Sequence, residues 1–104
     1  MRLRVGSSRQ AGALVPRRQR GLRAAVVVLP AGGMMDWHST RDREELLIVV
    51  RGIVRLETRT ASTRVRSRRL PAGSCVWLPP RVRHRLVNPT RQSARYIFVT
   101  VSAA

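Results

Sequence analysis

Glycine and proline cut this chain into short, β-branched lengths, which leaves little room for anything but strands. Val-rich Leu22–Leu29 is closed by Pro30, Gly32 and Gly33. Glu45–Val50 runs into Arg51 and Gly52, and Ile53–Thr60 returns, a hairpin signal. Thr63–Leu70 stops at Pro71, Ala72 and Gly73, and Cys75–Leu78 at Pro79 and Pro80. Val82–Val87 stops at Asn88, Pro89 and Thr90, and Arg95–Val101 follows. Nowhere do apolar residues recur at a sustained helical spacing. The pattern predicts an all-β antiparallel barrel or jelly roll over residues 22–101, with no helix longer than about two turns.

A chain of 104 residues holds one such domain and no second core. Its 43% hydrophobic content excludes global disorder. The longest apolar run, Ala24–Leu29, is far short of the ~20 residues of a membrane helix. One cysteine, Cys75, excludes an internal disulfide and any multi-cysteine zinc site, and it is read as a small buried hydrophobe. No apolar stretch follows Met1, so no secretory signal is expected and the implied location is cytoplasmic. Residues 1–21 read as an N-terminal arm or edge strand, and residues 22–104 as the barrel. Leu3, Val5, Leu14 and Val15 of the arm have no core of their own. The arm is therefore expected to join a sheet edge or to cross to a second copy, giving a homodimer.

Every basic residue is Arg: 21 of them against five acids, a net charge of +16. All five acids (Asp36, Asp42, Glu44, Glu45 and Glu57) fall within residues 36–57, around His38. The flanking stretches carry Arg and no acid. Such an excess suits nucleic acid or an acidic partner. Base-stacking side chains are few, however, with 4% aromatic residues, so a solvated, compositionally biased exterior is the favoured reading.

Strand alternation sorts the side chains. Arg81, Arg83 and Arg85 must face water, which turns Val82, His84 and Leu86 inward. If residues 37–40 are extended, His38 and Thr40 share one face and Trp37 takes the other. The only two histidines then face one interior. Glu45 and Glu44 have opposite parity. Asp36 and Asp42 flank the site and are read as answering Arg41 or Arg43. Trp77, Tyr96 and Phe98 are read as core. Met34, Met35 and Trp37 precede His38 at the barrel lip; they form either an apolar rim for a small ligand or packing against the sheet.

Two spaced sets stand out: Gly32, His38, Glu45 and Gly52, then Gly73, Pro79, His84 and Asn88. They resemble the two motifs of the cupin superfamily of small β-barrels. The first motif is Gly, five residues, His, one residue, His, three or four residues, Glu, six residues, Gly. The second is Gly, five residues, Pro, one residue, Gly, two residues, His, three residues, Asn. Thr40 stands where the second His belongs and Arg81 where the middle Gly belongs. The resemblance implies a single cupin-type barrel in which His38, Glu45 and His84 hold one divalent ion (Fe, Mn, Ni or Zn). Thr40 would leave an open position or hold a water. Two His and one carboxylate are also the minimal facial set of non-haem iron sites. The implied reactions are dioxygenation, isomerisation or decarboxylation of a small polar molecule. The alternative is a metal-free module that binds or senses a small ligand in the same cavity.

Overall fold

A computed structural model describes residues 2–16, 21–59 and 64–102. Nine strands appear: β1 (Gly12–Ala13), β2 (Leu22–Leu29), β3 (Met34–Ser39), β4 (Arg43–Arg51), β5 (Ile53–Arg59), β6 (Val65–Pro71), β7 (Cys75–Leu78), β8 (Arg83–Val87) and β9 (Ala94–Ser102). There is no helix among the described residues. The ends of the expected strands at Thr60 and Thr63 lie outside them. The strands form two antiparallel sheets, a five-stranded one in the order β1-β2-β9-β4-β7 and a four-stranded one in the order β3-β8-β5-β6. This is the all-β jelly roll that the punctuation predicts.

The core lies between the sheets. Leu29, Leu47, Val49, Leu78, Ala94 and Tyr96 come from the five-stranded side, and Val54, Leu56, Leu70 and Leu86 from the other. Gly52 makes the β4–β5 turn at φ 75°, where a Cβ would sit 3.0 Å from the Ser93 carbonyl oxygen. Only Gly fits both demands. Asn88 does more than its own turn. Fully buried, its Nδ2 donates to the carbonyls of Leu29, Pro30 and Gln92, and its Oδ1 accepts from the Thr90 N–H and hydroxyl. It thereby ties the end of β2 to the β8–β9 turn.

Two core expectations are corrected. Trp77 is 59% exposed and Cys75 is exposed as well. In the register of β4 with β7, Leu78 faces Glu45 and Val76 faces Leu47, both inward, so Cys75 and Trp77 point out. Trp77 Nε1 donates to Glu44 Oε1 at 3.0 Å. The arm lies along its own chain: Gly12 and Ala13 pair with Val26 and Ala25 of β2, and the Leu14 N–H donates to the Ala24 carbonyl.

Candidate metal centre

Each of the three motif side chains is delivered by a different strand. His38 comes from β3 and His84 from β8, which are paired neighbours in the four-stranded sheet. Glu45 comes from β4 in the facing sheet. One ligand atom from each lies within 4.8 Å of the others. The imidazole centroids are 4.2 Å apart. His84 and Glu45 are buried, and His38 is exposed at the mouth of a cavity of about 500 Å³. Met35, Leu47, Leu86, Tyr96 and Phe98 form its apolar wall.

A β-bulge sets up this face. Met35 pairs with Leu86 and His38 with His84, with the register shifting between them. Three residues apart, Met35 and His38 would point to opposite sides of a regular strand; the bulge brings both inward. Trp37 goes the other way. It packs on the outer face of the sheet, with the Arg59 and Arg85 guanidinium carbons 4.7 and 5.0 Å from its ring centroid. Trp37 is therefore outside packing and not a cavity wall, whereas Met35 does line the cavity.

Backbone contacts fix both imidazoles. His38 Nδ1 lies 2.8 Å from the Asp36 carbonyl oxygen, and His84 Nδ1 lies 3.1 Å from that of Val82. A carbonyl only accepts, so each Nδ1 carries a hydrogen and each ring leaves its Nε2 free of backbone contact. His84 Nε2 lies 3.0 Å from Glu45 Oε2. That is ion-pair distance, yet the angles make no hydrogen bond, and both buried atoms are left without a partner. Two lone pairs facing each other repel unless a proton or a cation stands between them. The three side chains form a group that could hold a metal ion, with backbone carbonyls on both Nδ1 atoms.

The Thr40 side chain lines the cavity, but its hydroxyl is committed elsewhere. It donates to the Pro79 carbonyl at 2.9 Å and accepts from the Val82 N–H at 3.1 Å. The Arg81 N–H reaches the Arg41 carbonyl at 2.7 Å, and both residues have positive φ, 62° and 55°. Arg81 thus adopts the left-handed backbone for which the cupin motif uses Gly, at a cost of about 1–2 kcal/mol. Asp36 pairs with no arginine among the described residues; its Oδ1 accepts the Trp37 N–H. Glu44 faces outward with Trp77. At the rim, Arg43 is held by Thr100, with its Nε on the hydroxyl at 3.0 Å and its Nη2 on the carbonyl at 3.1 Å. Burial raises the Tyr96 phenol well above its ordinary value, and the Glu45 carboxylate adds to the shift, so the phenol stays protonated on the cavity wall.

The anchored Arg43 and the neutral Tyr96 were not readable as site residues. Only the pairing of β9 with β4 places Thr100 opposite Glu45 and Tyr96 opposite Val49.

Similar architecture recurs in solved structures. A Cupin 2 conserved barrel domain protein from Salinispora arenicola CNS-205 is 25% identical with a TM-score of 0.76, over 99% of this chain and 90% of that one. The cupin domain of Schizosaccharomyces pombe Cnp3 is 13% identical with a TM-score of 0.76, over 88% and 59%. An oxalate oxidase is 21% identical with a TM-score of 0.73, over 80% and 43%. Peruvianin-I, a cysteine peptidase from Thevetia peruviana latex, is 21% identical with a TM-score of 0.72, over 81% and 52%. This chain thus spans only about half the length of the latter three. No curated protein sequence matches it. No helix among the described residues is long and apolar enough to cross a membrane. The sequence model of the Cupin_2 family, the cupin domain, matches residues 25–100, and the chain belongs to that family.

Proposed function

We propose that this cupin holds one divalent ion through His38, Glu45 and His84 and uses it on a small polar molecule bound in the cavity. The observation that carries the reading is the meeting of unpartnered buried Glu45 Oε2 and His84 Nε2 with the third donor, His38, at the mouth. Bound there, Fe, Mn, Ni or Zn would supply Lewis acidity toward a coordinated oxygen of the substrate. The chain's own groups do the rest. Met35, Leu86 and Phe98 make one wall apolar, the Tyr96 phenol offers a hydrogen-bond donor, and Arg43 sets a fixed positive charge at the rim. Dioxygenation, isomerisation and decarboxylation all suit such a site.

Elemental analysis of protein purified without a histidine tag, followed by titration of the metal-free chain with Mn, Fe, Ni and Zn, tests this. One ion per chain is expected, with His84→Ala losing it. A wild type that takes up none of the four would sink the reading. A second reading has an observation of its own. The Thr40 hydroxyl is locked into the turn and supplies no fourth ligand, which favours a metal-free module binding a small ligand in the same cavity. Unchanged ligand affinity after chelation would select it.

A further inference from the structure

The two sheets part between β6 and β7. Each of these strands is the outer edge of its sheet, and among the described residues neither edge is paired. A cleft of about 510 Å³ opens there. Its floor is apolar, made by Leu56 of β5 and by Val76 and Leu78 of β7. Arg66 and Arg68 of β6 line it as well, with Thr58 of β5 beside them. Register explains how charge comes to lie over this floor. Arg68 is the partner of buried Leu56, and Arg66 the partner of Thr58, which pairs in turn with buried His84. Both arginines therefore share the inner side of β6 with Leu70.

No side-chain carboxylate is placed to neutralise them. Glu45 and Asp42 line the other cavity, Glu44 meets Trp77, Asp36 accepts the Trp37 N–H, and Glu57 is taken by Arg85. None of the five lines the cleft, and neither Arg66 nor Arg68 forms an ion pair among the described residues. Two positions apart on one strand, the arginines stand ~7 Å from each other, and their like charges repel. An oxyanion between them relieves that repulsion and accepts charge-assisted hydrogen bonds from both. We propose that the cleft binds an anionic amphiphile, a free acyl carboxylate whose head meets Arg66 and Arg68 and whose chain lies on Leu56, Val76 and Leu78. The volume is that of a small-ligand site. Charge leaning into the opening resists an added β-strand but suits a small anion. None of His38, Glu45 and His84 lines the cleft, so this site stands or falls apart from the metal centre.

Calorimetric titration of the full chain with octanoate tests the proposal, with octanol as the chain without the charge and acetate as the charge without the chain. One octanoate per chain is expected, and affinity should rise about two- to fourfold per methylene from hexanoate to decanoate. Octanol and acetate should each bind about tenfold more weakly or worse. Arg66→Gln and Arg68→Gln change exposed positions on an edge strand, keep the fold by circular dichroism, and should each weaken octanoate about three- to tenfold. Chelation of divalent ions should leave its affinity unchanged. A wild type that takes up no octanoate overturns the proposal, as do folded arginine variants that bind it normally. Octanol or acetate binding as tightly as octanoate overturns it too, and so does loss of binding on chelation, which would put the carboxylate on the metal centre. Pelleting with oleate-containing phosphatidylcholine vesicles that needs both arginines would place the acyl anion in a membrane and overturn the free ligand.

Discussion

The five-stranded sheet turns Ala24, Val99, Leu46 and Trp77 outward in one cross-strand row, where the four-stranded sheet turns out Ser39, Arg83, Arg59 and Val65. Across its rows the second sheet carries Arg55, Arg59, Arg69, Arg83 and Arg85 outward, with Glu57 as their carboxylate. Inside, the difference disappears, and Leu and Val meet from both sides. Alternation fixes which residues are interior, because burying unpaired charge costs more than a small domain has to spare. It places no such limit on the outer faces, which is why the two sheets can differ there. The site obeys the inner rule with one exchange: the five-stranded sheet contributes the carboxylate and the four-stranded sheet the two imidazoles.

The largest expected effect tests the claim that the two inner faces are equal. Leu47 on β4 and Leu56 on β5 are 2% and 4% exposed and belong to one cluster. Leu47→Ala and Leu56→Ala should each cost about 2–5 kcal/mol, as buried Leu truncations do. Equilibrium urea unfolding measures both. A cost below about 1 kcal/mol on one side alone would mean that this sheet does not share the core.

Much of this inner face was legible in the sequence. Arg83 and Arg85 had to point out, which turned His84 in, and parity separated Glu45 from Glu44. The spacing of the two motifs marked His38, Glu45 and His84 together. What could not be read has a physical cause in each case. Cys75–Leu78 is apolar on both faces, so alternation gives it no direction; only pairing with β4 decides that Trp77 is outside. The bulge at residues 35–38 leaves no composition signal, yet it is what lets Met35 and His38 share a side. On β6, the parity that carries Arg66 and Arg68 is that of buried Leu70, and Val65 is exposed. Inward-pointing charge on an edge strand discourages further strand pairing. The roles of Thr40 and Arg81 depend on two turns meeting, and those turns are about forty residues apart in sequence.

A smaller effect is expected where the two sheets are strapped together at the mouth. The Thr40 hydroxyl serves the Pro79 carbonyl and the Val82 N–H, and Val82 in turn holds His84 Nδ1. Thr40→Val keeps the shape and leaves two polar groups unmatched, a cost of about 1–3 kcal/mol. Thr40→Ser should restore most of it. Thr40→His also lacks the hydroxyl and should be destabilised like the Val variant, despite matching the cupin motif. Thermal unfolding of the three variants side by side checks the order. A Thr40→Val protein as stable as wild type would show that the strap contributes nothing.

The smallest expected effect belongs to the outer face of the four-stranded sheet. Arg85 grips Glu57 through Nε and Nη2, both at 3.2 Å, and Arg55 Nε stands 3.5 Å away. Hydrogen bonding to Arg85 leads the causes that hold the Glu57 carboxyl below its ordinary value of 4.5, against the opposing effect of burial. A carboxyl with a lowered folded pKa prefers the folded state when ionised. Its contribution is therefore complete above the unfolded value and is lost as pH falls through the folded one. Because the arginines remain partly solvated, the whole pair is worth about 1 kcal/mol or less. Glu57→Gln should then be slightly less stable than wild type at neutral pH, and the gap should close as the solution is acidified below 4.5. Urea unfolding of the two proteins along a pH series reads this directly. A constant gap at every pH would assign the loss to packing around Trp37 and Arg85, and would remove charge as the reason this face differs from its apolar counterpart.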